Sequence, residues 1–267
     1  MIKVVVIGAG GRMGRLLVAR IMEAEDLQLF GAVEAPGNPL LGQDAGVIAG
    51  QGSAGVMITA DLKAACTGAD SVINFSTGDV PGDTEIATTA GCSCVIGTTA
   101  LSEDSKAKLR KLADDGARIV FAPNMSVGVN LLFHLCGKVA SLLGDDYDIE
   151  IVEMHHNLKK DAPSGTAVRL GEIAAAARGL SYENDTRHGR EGITGARTTK
   201  EIGMHALRGG DVVGDHTVMF ATCGERLELT HKASSRDTFV KGALRAVRFL
   251  DSAKPGLYDM QDVLGLK

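Results

Sequence analysis

Aromatic side chains are scarce in this chain: they make up 4% of its 267 residues, and tryptophan is absent. Proteins that bind single-stranded nucleic acid stack bases on aromatic rings, so the scarcity argues against that class. An excess of basic residues is lacking too. Lys and Arg number 28 against 33 Asp and Glu, a net charge of −5 that offers no general attraction to nucleic acid or an anionic membrane. An anionic partner must therefore be captured by a local positive cluster. No uninterrupted apolar run approaches the ~20 residues that cross a bilayer. The apolar stretch between Lys3 and Gly8 is far shorter than the core of an export signal. The five cysteines (Cys66, Cys92, Cys94, Cys136, Cys223) include no CxxC pair. Cys92-Ser-Cys94 alternates within an apolar run, which suits a buried strand better than a zinc site. The expectation is reduced thiols, no metal and a cytoplasmic protein.

Glycine, by contrast, is abundant at 34 residues, as suits many tight strand-to-helix turns. Ile2–Ile7 reads as an apolar strand covered on both faces, followed by Met13, Leu16, Leu17 and Ile21 at helical spacing. Leu27–Val33 is a second strand ending at Glu34, and the Gly-rich 36–55 segment is expected to be irregular. Val72–Phe75, Cys94–Ile96 and Ile119–Phe121 are further strands, and Ser102 caps a helix running to Asp115. This alternation predicts a doubly wound, Rossmann-like parallel sheet of the α/β class. After Asn124 the pattern changes. Val127–Leu143 reads as one apolar helix, Asp148–Glu153 as an alternating strand, and Ile202–His231 as antiparallel strands flanking Gly209-Gly210-Asp211. A last helix, Asp237–Leu250, follows. The expected organisation is 1–126, an inserted α+β domain over 127–235, and a returning segment over 236–267.

Three groups of residues point to chemistry. The turn Gly8-Ala9-Gly10-Gly11-Arg12-Met13-Gly14 follows a strand and opens a helix, so it can cradle a pyrophosphate at the helix N-terminus. Glu34, twenty residues past Gly14, is placed to accept from a ribose. Ala35-Pro36-Gly37-Asn38 brings no cation for a 2′-phosphate, so NADH should serve at least as well as NADPH. Gly97-Thr98-Thr99 and Ala122-Pro123-Asn124-Met125 each follow a strand, at the sheet edge where a nicotinamide binds. In the third group, Glu153-Met-His155-His156-Asn-Leu-Lys159-Lys-Asp161-Ala-Pro163-Ser164-Gly165-Thr166, imidazole and ammonium groups precede a helix capped by Ser164. Its first amides, at Gly165, Thr166 and Ala167, are expected to face an anion. Arg187, Arg190 and Arg197 lie in a Gly-rich stretch whose role, substrate contact, mobile loop or subunit contact, is open.

These residues together resemble the 4-hydroxy-tetrahydrodipicolinate reductase (dihydrodipicolinate reductase) family, of the diaminopimelate route to lysine. The run from Glu153 to Thr166 carries most of the specificity. Val95-Ile-Gly-Thr-Thr99, Asn124-Met-Ser-Val-Gly-Val-Asn130, Gly214-Asp-His216 and Thr230-His-Lys-Ala-Ser-Ser-Arg236 extend it. The resemblance implies His155 as acid/base, Lys159 as a proton donor, and His156, Gly165 and Thr166 as contacts to a cyclic dicarboxylate. It implies that Gly8–Met13, Glu34, Gly97–Thr99 and Ala122–Met125 bind NADH or NADPH. It also implies a homotetramer built through the sheets of the inserted domain. Some members place Arg where this chain has Ala35, and a more basic pair at Asn157-Leu158. Another nicotinamide-dependent dehydrogenase on the same plan, or a non-catalytic NAD(H) sensor, are the alternatives. A sensor needs an output module, and no basic helix-turn-helix segment is present.

Overall fold

Val4 and Val6 point to one side of the first strand while Val5 and Ile7 point to the other, and all four are buried. That is why the run is apolar at consecutive positions. The computed structural model describes residues 1–99 and 101–267. Contacts divide the chain into two units, Met1–Val127 with Asp237–Lys267, and Gly128–Arg236.

The first unit alternates strands and helices: β1 (Ile2–Ile7), α1 (Arg12–Glu23), β2 (Leu27–Val33), α2 (Ala45–Ile48), β3 (Ile58–Thr59) and α3 (Leu62–Cys66). Then come β4 (Ser71–Asn74), α4 (Val80–Thr89), β5 (Ser93–Ile96), α5 (Glu103–Asp114) and β6 (Arg118–Phe121). The second unit holds α6 (Val127–Leu143) from Gly128 onward, β7 (Asp148–His155), α7 (Gly165–Arg178), α8 (Tyr182–Asp185), β8 (Thr186–His188), β9 (Ile202–Arg208), β10 (Gly214–Thr222) and β11 (Glu225–Ala233). The chain then returns through α9 (Asp237–Ser252), β12 (Gly256–Tyr258) and α10 (Met260–Leu264).

In the first unit the strands lie in the order β12-β6-β5-β4-β1-β2-β3, every neighbouring pair parallel. Leu17 and Ile21 of α1 and Val240 and Val247 of α9 cover one face; Leu62 of α3, Ala87 of α4 and Leu109 of α5 cover the other. The strand order reverses between β1 and β4, the place where doubly wound sheets open a ligand crevice. Residues 36–55 are more ordered than their composition suggests. The Asp44 carboxylate accepts from the amides of Gly46, Val47, Ala54 and Gly55, which nucleates α2 and ties down the returning loop. β12, which the sequence reading lacks, extends the sheet beyond β6.

The second unit has a five-stranded sheet in the order β11-β10-β7-β9-β8. Ile149 and Ile151 of β7 and Phe220 of β10 pack with Leu170 and Ala174 of α7 and with Leu132 and Cys136 of α6. The expected antiparallel arrangement over Ile202–His231 holds only for β10 and β11. β9 runs parallel to β7 and has no pairing with β10. The reason lies in the Gly209–Val212 segment, whose backbone bonds to the end of β7 rather than closing a hairpin. Gly209 N donates to His155 O (3.0 Å), His156 N to Val212 O (2.7 Å) and Asn157 N to Gly210 O (3.2 Å). The chain thus crosses the end of β7 and pairs along its other edge.

By length and composition Val127–Asp146 is apolar enough to cross a membrane, with a mean hydropathy of 1.4. Its Leu132, Cys136 and Ala140 are buried in the core of the second unit, while Leu131, Leu135 and Leu142 are exposed. Two arginines of the Gly-rich stretch, Arg190 and Arg197, are engaged within the unit. Arg190 pairs with Glu150 and Glu201, and Arg197 with Asp148 and Glu150, pinning the 187–201 segment to the sheet.

Candidate active site

A cavity of about 620 Å³ opens at the carboxyl end of β1. Gly8, Gly11, Arg12, Met13 and Glu34 line it, as their positions in the sequence suggest. Gly8 takes a positive φ of 75°, open to glycine at little cost. A Cβ at Gly14 would overlap the Gly8 carbonyl oxygen and the Ala9 backbone, so this helix starts where only glycine fits. Gly11 caps α1 without a side-chain bond, leaving the helix start without the side-chain acceptor that a Ser or Asp would supply. A glycine-built turn at a helix start, facing a cavity at the reversal point, fits the pyrophosphate of a dinucleotide.

Glu34 is held in place. Its Oε1 accepts from Gly10 N (2.8 Å) and its Oε2 from Asn38 Nδ2 (3.0 Å). The Ala35 amide also donates to Oε2 (3.3 Å), so of about four lone-pair sites roughly one remains for a ribose hydroxyl. Ala9, although within the turn, is buried at its foot. Gly97–Thr99 and Ala122–Met125 are not themselves among the lining residues. Gly97, Thr98 and Thr99 follow β5, where a Cβ on Gly97 would strike the Phe75 ring and Thr98 Oγ1 donates to Ser76 O (2.8 Å). Ala122, Pro123, Asn124 and Met125 follow β6. The Met125 side chain is buried in the core, so only its backbone can serve a ligand. Phe75, Ser76, Thr77, Asp79 and Asp83 also line the cavity and are absent from the sequence-based set. The Ser76-Thr-Gly-Asp79 turn after a strand was the available signal.

The second constellation forms at the carboxyl end of β7. This strand runs two residues further than its expected end at Glu153, so Ile149, Ile151, Glu153 and His155 all project to the side that carries α7. The face begins as core and ends as chemistry. Glu153 has no solvent exposure. Its Oε2 lies 2.6 Å from His155 Nδ1 and accepts from Arg208 (2.9 Å); its Oε1 accepts from Arg208 (3.0 Å) and from the Ser164 amide (3.0 Å). Burial alone pushes the Glu153 carboxyl up, but these donors outweigh it and hold it below the usual range, as a carboxylate.

Ser164 caps α7 by accepting from Ala167 N (3.2 Å), and its hydroxyl also pairs with His216 Nε2 (2.9 Å). The Ala167 amide, expected to face an anion, is therefore spent on the cap. Gly165 is exposed, with nothing within 4 Å of where a Cβ would stand. Burial, with His155 nearby, pulls His216 down to about 3, so it is neutral near pH 7. The His155 and His216 rings meet edge to face at 5.2 Å. A Cβ on Gly214 would lie 3.0 Å from His155 Nε2, so that nitrogen faces the gap which glycine leaves. Lys159 Nζ is 2.8 Å from Asp161. His156 lies beside this group, its Nδ1 buried without a hydrogen-bond partner. The structure thus gathers His155, His156, Lys159, Gly165 and Thr166 in one unit. It adds Glu153, Arg208 and His216, which the sequence reading did not assign to the site. No group of three or more potential metal ligands occurs among the described residues.

Comparison with known proteins agrees over the whole chain. Residues 2–125 match the family "Dihydrodipicolinate reductase, N-terminus", and residues 128–264 match "Dihydrodipicolinate reductase, C-terminus". The chain is 50% identical over 268 aligned residues to the 4-hydroxy-tetrahydrodipicolinate reductase of Citrifermentans bemidjiense and 51% identical to that of Geotalea daltonii, each covering all of both sequences. The solved dipicolinate-bound dihydrodipicolinate reductase from Paenisporosarcina sp. TG-14 is 25% identical and superposes with a TM-score of 0.75, covering 98% of both chains. A myo-inositol dehydrogenase from Corynebacterium glutamicum, 14% identical with a TM-score of 0.60, shares the fold alone. A glycine turn shaped for a dinucleotide is common to many such dehydrogenases, whereas the two matched regions and full-length identity are not. The chain accordingly belongs to the 4-hydroxy-tetrahydrodipicolinate reductase family, enzymes of lysine and diaminopimelate biosynthesis that reduce their substrate with NADH or NADPH.

Proposed function

We propose that His155 delivers the proton of this reduction from Nε2, while Lys159, His156 and the α7 start at Gly165-Thr166 hold the substrate carboxylates. The observation that carries this reading is the Glu153–His155 pair, which ties Nδ1 to a buried carboxylate and leaves Nε2 facing the gap at Gly214. The substrate, after loss of water, is a cyclic imine dicarboxylate with a conjugated C=C–C=N system. When bound, a reduced nicotinamide would supply the hydride, which the far carbon of that system can accept. Charge then develops toward the ring nitrogen, and protonation of the adjacent carbon completes the reduction. An imidazole titrates near neutral pH and suits that transfer. Lys159 contributes positive charge where negative charge develops, and exchanges its Asp161 partner for a substrate carboxylate. Dipicolinate, the ligand in the Paenisporosarcina structure, carries the same pair of carboxylates.

The anchor role has a direct test. Lys159→Ala should raise the substrate KM about 10–100-fold, the worth of one charged hydrogen bond. NADH affinity should stay unchanged in a fluorescence titration. An unaltered KM would remove Lys159 from the binding set.

On the nucleotide side, Gly8, Ala9, Gly10, Gly11, Arg12 and Met13 form the pyrophosphate turn, and Glu34 takes the adenosine ribose. Gly97–Thr99 and Ala122–Met125 serve the nicotinamide half through their strand ends. Glu34, Asp79 and Asp83 give the cavity an acidic lining, and Arg12 alone among its lining residues is basic. That balance supports NADH being used at least as well as NADPH. Glu34→Ala should therefore weaken NADH more than NADPH, by about tenfold in the ratio of kcat/KM values. Equal losses would mean that Glu34 does not discriminate at the 2′ position.

We also propose a cytoplasmic homotetramer. Val152, Met154 and Met219 lie on the sheet face turned away from α7 and stay outside the core of their unit, which supports assembly through that face.

A further inference from the structure

We infer that Glu153 and Arg208 are positioning residues for the reduction, an ion pair on a buried carboxylate that sets the tautomer of His155 and locks it to the start of α7. The inference rests on the reading of His155 as proton donor and goes beyond it.

The geometry is over-determined. Glu153 is fully buried on β7, and each of its oxygens has two partners. Arg208, from the end of β9, grips both oxygens in a two-pronged arrangement and uses the same nitrogen that reaches Oε1 to donate to Asp161 O (2.6 Å). Such forks fix direction as well as charge. An ionised carboxylate only accepts, so the atom facing it at His155 Nδ1 must carry a proton. When Nε2 gives up its proton to the substrate carbon, the neutral imidazole is left as the Nδ1–H tautomer with Nε2 bare, ready to be reprotonated from solvent. The other oxygen of the same carboxylate holds the Ser164 amide, one residue before Gly165. One side chain therefore ties the acid to the turn assigned to a substrate carboxylate.

Few other charges bear on His155. His216 is neutral, Arg208 is consumed by Glu153, and Lys159 is paired with Asp161. Across the sheet, His231 of β11 acts on His216, and Asp215 of β10 acts on His231. Glu153 is thus the one carboxylate bonded to this imidazole among the described residues.

Three measurements on the full-length enzyme test this. Glu153→Gln keeps the size of the side chain and removes its charge. It should lower kcat about 10–100-fold, leave NADH affinity intact, and move the alkaline limb of the kcat/KM profile to lower pH by about one unit. Placed in a His155→Gln background, the same change should cost almost nothing more, because it acts through His155. Nitrogen NMR of the histidine rings of the unaltered protein, with His155 assigned from the spectrum of His155→Gln, should show Nδ1–H in its neutral form; this needs no Glu153 variant to fold. An Nε2–H tautomer, or a pH profile unmoved in Glu153→Gln, would overturn the inference. Full turnover in His155→Gln would instead sink the proton-donor reading itself.

Discussion

His155→Gln is expected to lower kcat by roughly 10²–10⁴, the usual worth of a positioned general acid. Gln retains a donor for Glu153 and fills most of the imidazole volume, so the buried carboxylate keeps a partner and the fold should survive. What it lacks is a proton that can be given up near neutral pH. The loss should fall on kcat rather than on NADH affinity, because His155 lies in the unit formed by Gly128–Arg236 and the dinucleotide turn lies in the other. Steady-state kinetics with both substrates varied, beside an equilibrium NADH titration, separates the two. Unchanged turnover would remove His155 from the acid role and leave Lys159 as the next candidate.

The second large effect belongs to the nucleotide turn. Gly14→Ala adds one methyl group where the Gly8 carbonyl oxygen and the Ala9 backbone already stand. Neither obstacle is a flexible side chain, so the strand-to-helix turn itself must shift. Overpacking of this kind costs about 1–3 kcal/mol or more. Here the cost falls on the geometry that presents the turn to a pyrophosphate. NADH affinity should fall about 100-fold or more, with a lower Tm, both measurable on the same preparation. Wild-type affinity would show that the turn relaxes freely and that the dinucleotide does not depend on its closeness.

Much of this was legible before any coordinates. Periodicity and turn residues marked β1, α1, β2, β5, α5 and α6 to within a residue or two, because each buries a face or stripe whose spacing is written locally. The caps at Ser102 and Ser164 also appear where expected, each accepting from an amide three residues on. Short pieces were missed. β12 is three residues long and pairs with β6 more than a hundred residues away, and neither fact leaves a local trace.

The strand pairing of the second unit shows the limit most clearly. Gly209-Gly210-Asp211 has the composition of a hairpin turn, yet its backbone is claimed by the end of β7, and β9 pairs in parallel. Turn chemistry specifies a bend, whereas partners are chosen by which sheet edges are open in the folded unit. Glu153 makes the same point at the site. An acid at an inward position of an alternating strand was visible, but nothing within fifty residues announced the Arg208 that makes its burial tolerable. Residue type and spacing by themselves determined the fold class, the glycine turn, and the run of imidazole, ammonium and helix-start residues between His155 and Thr166, since those depend on local backbone freedom and intrinsic chemistry. Only the tertiary structure decided which His155 nitrogen faces a partner, which carboxylate and arginine meet beside it, and which acids line the cavity, because burial and charge pairing are set by neighbours distant in the chain.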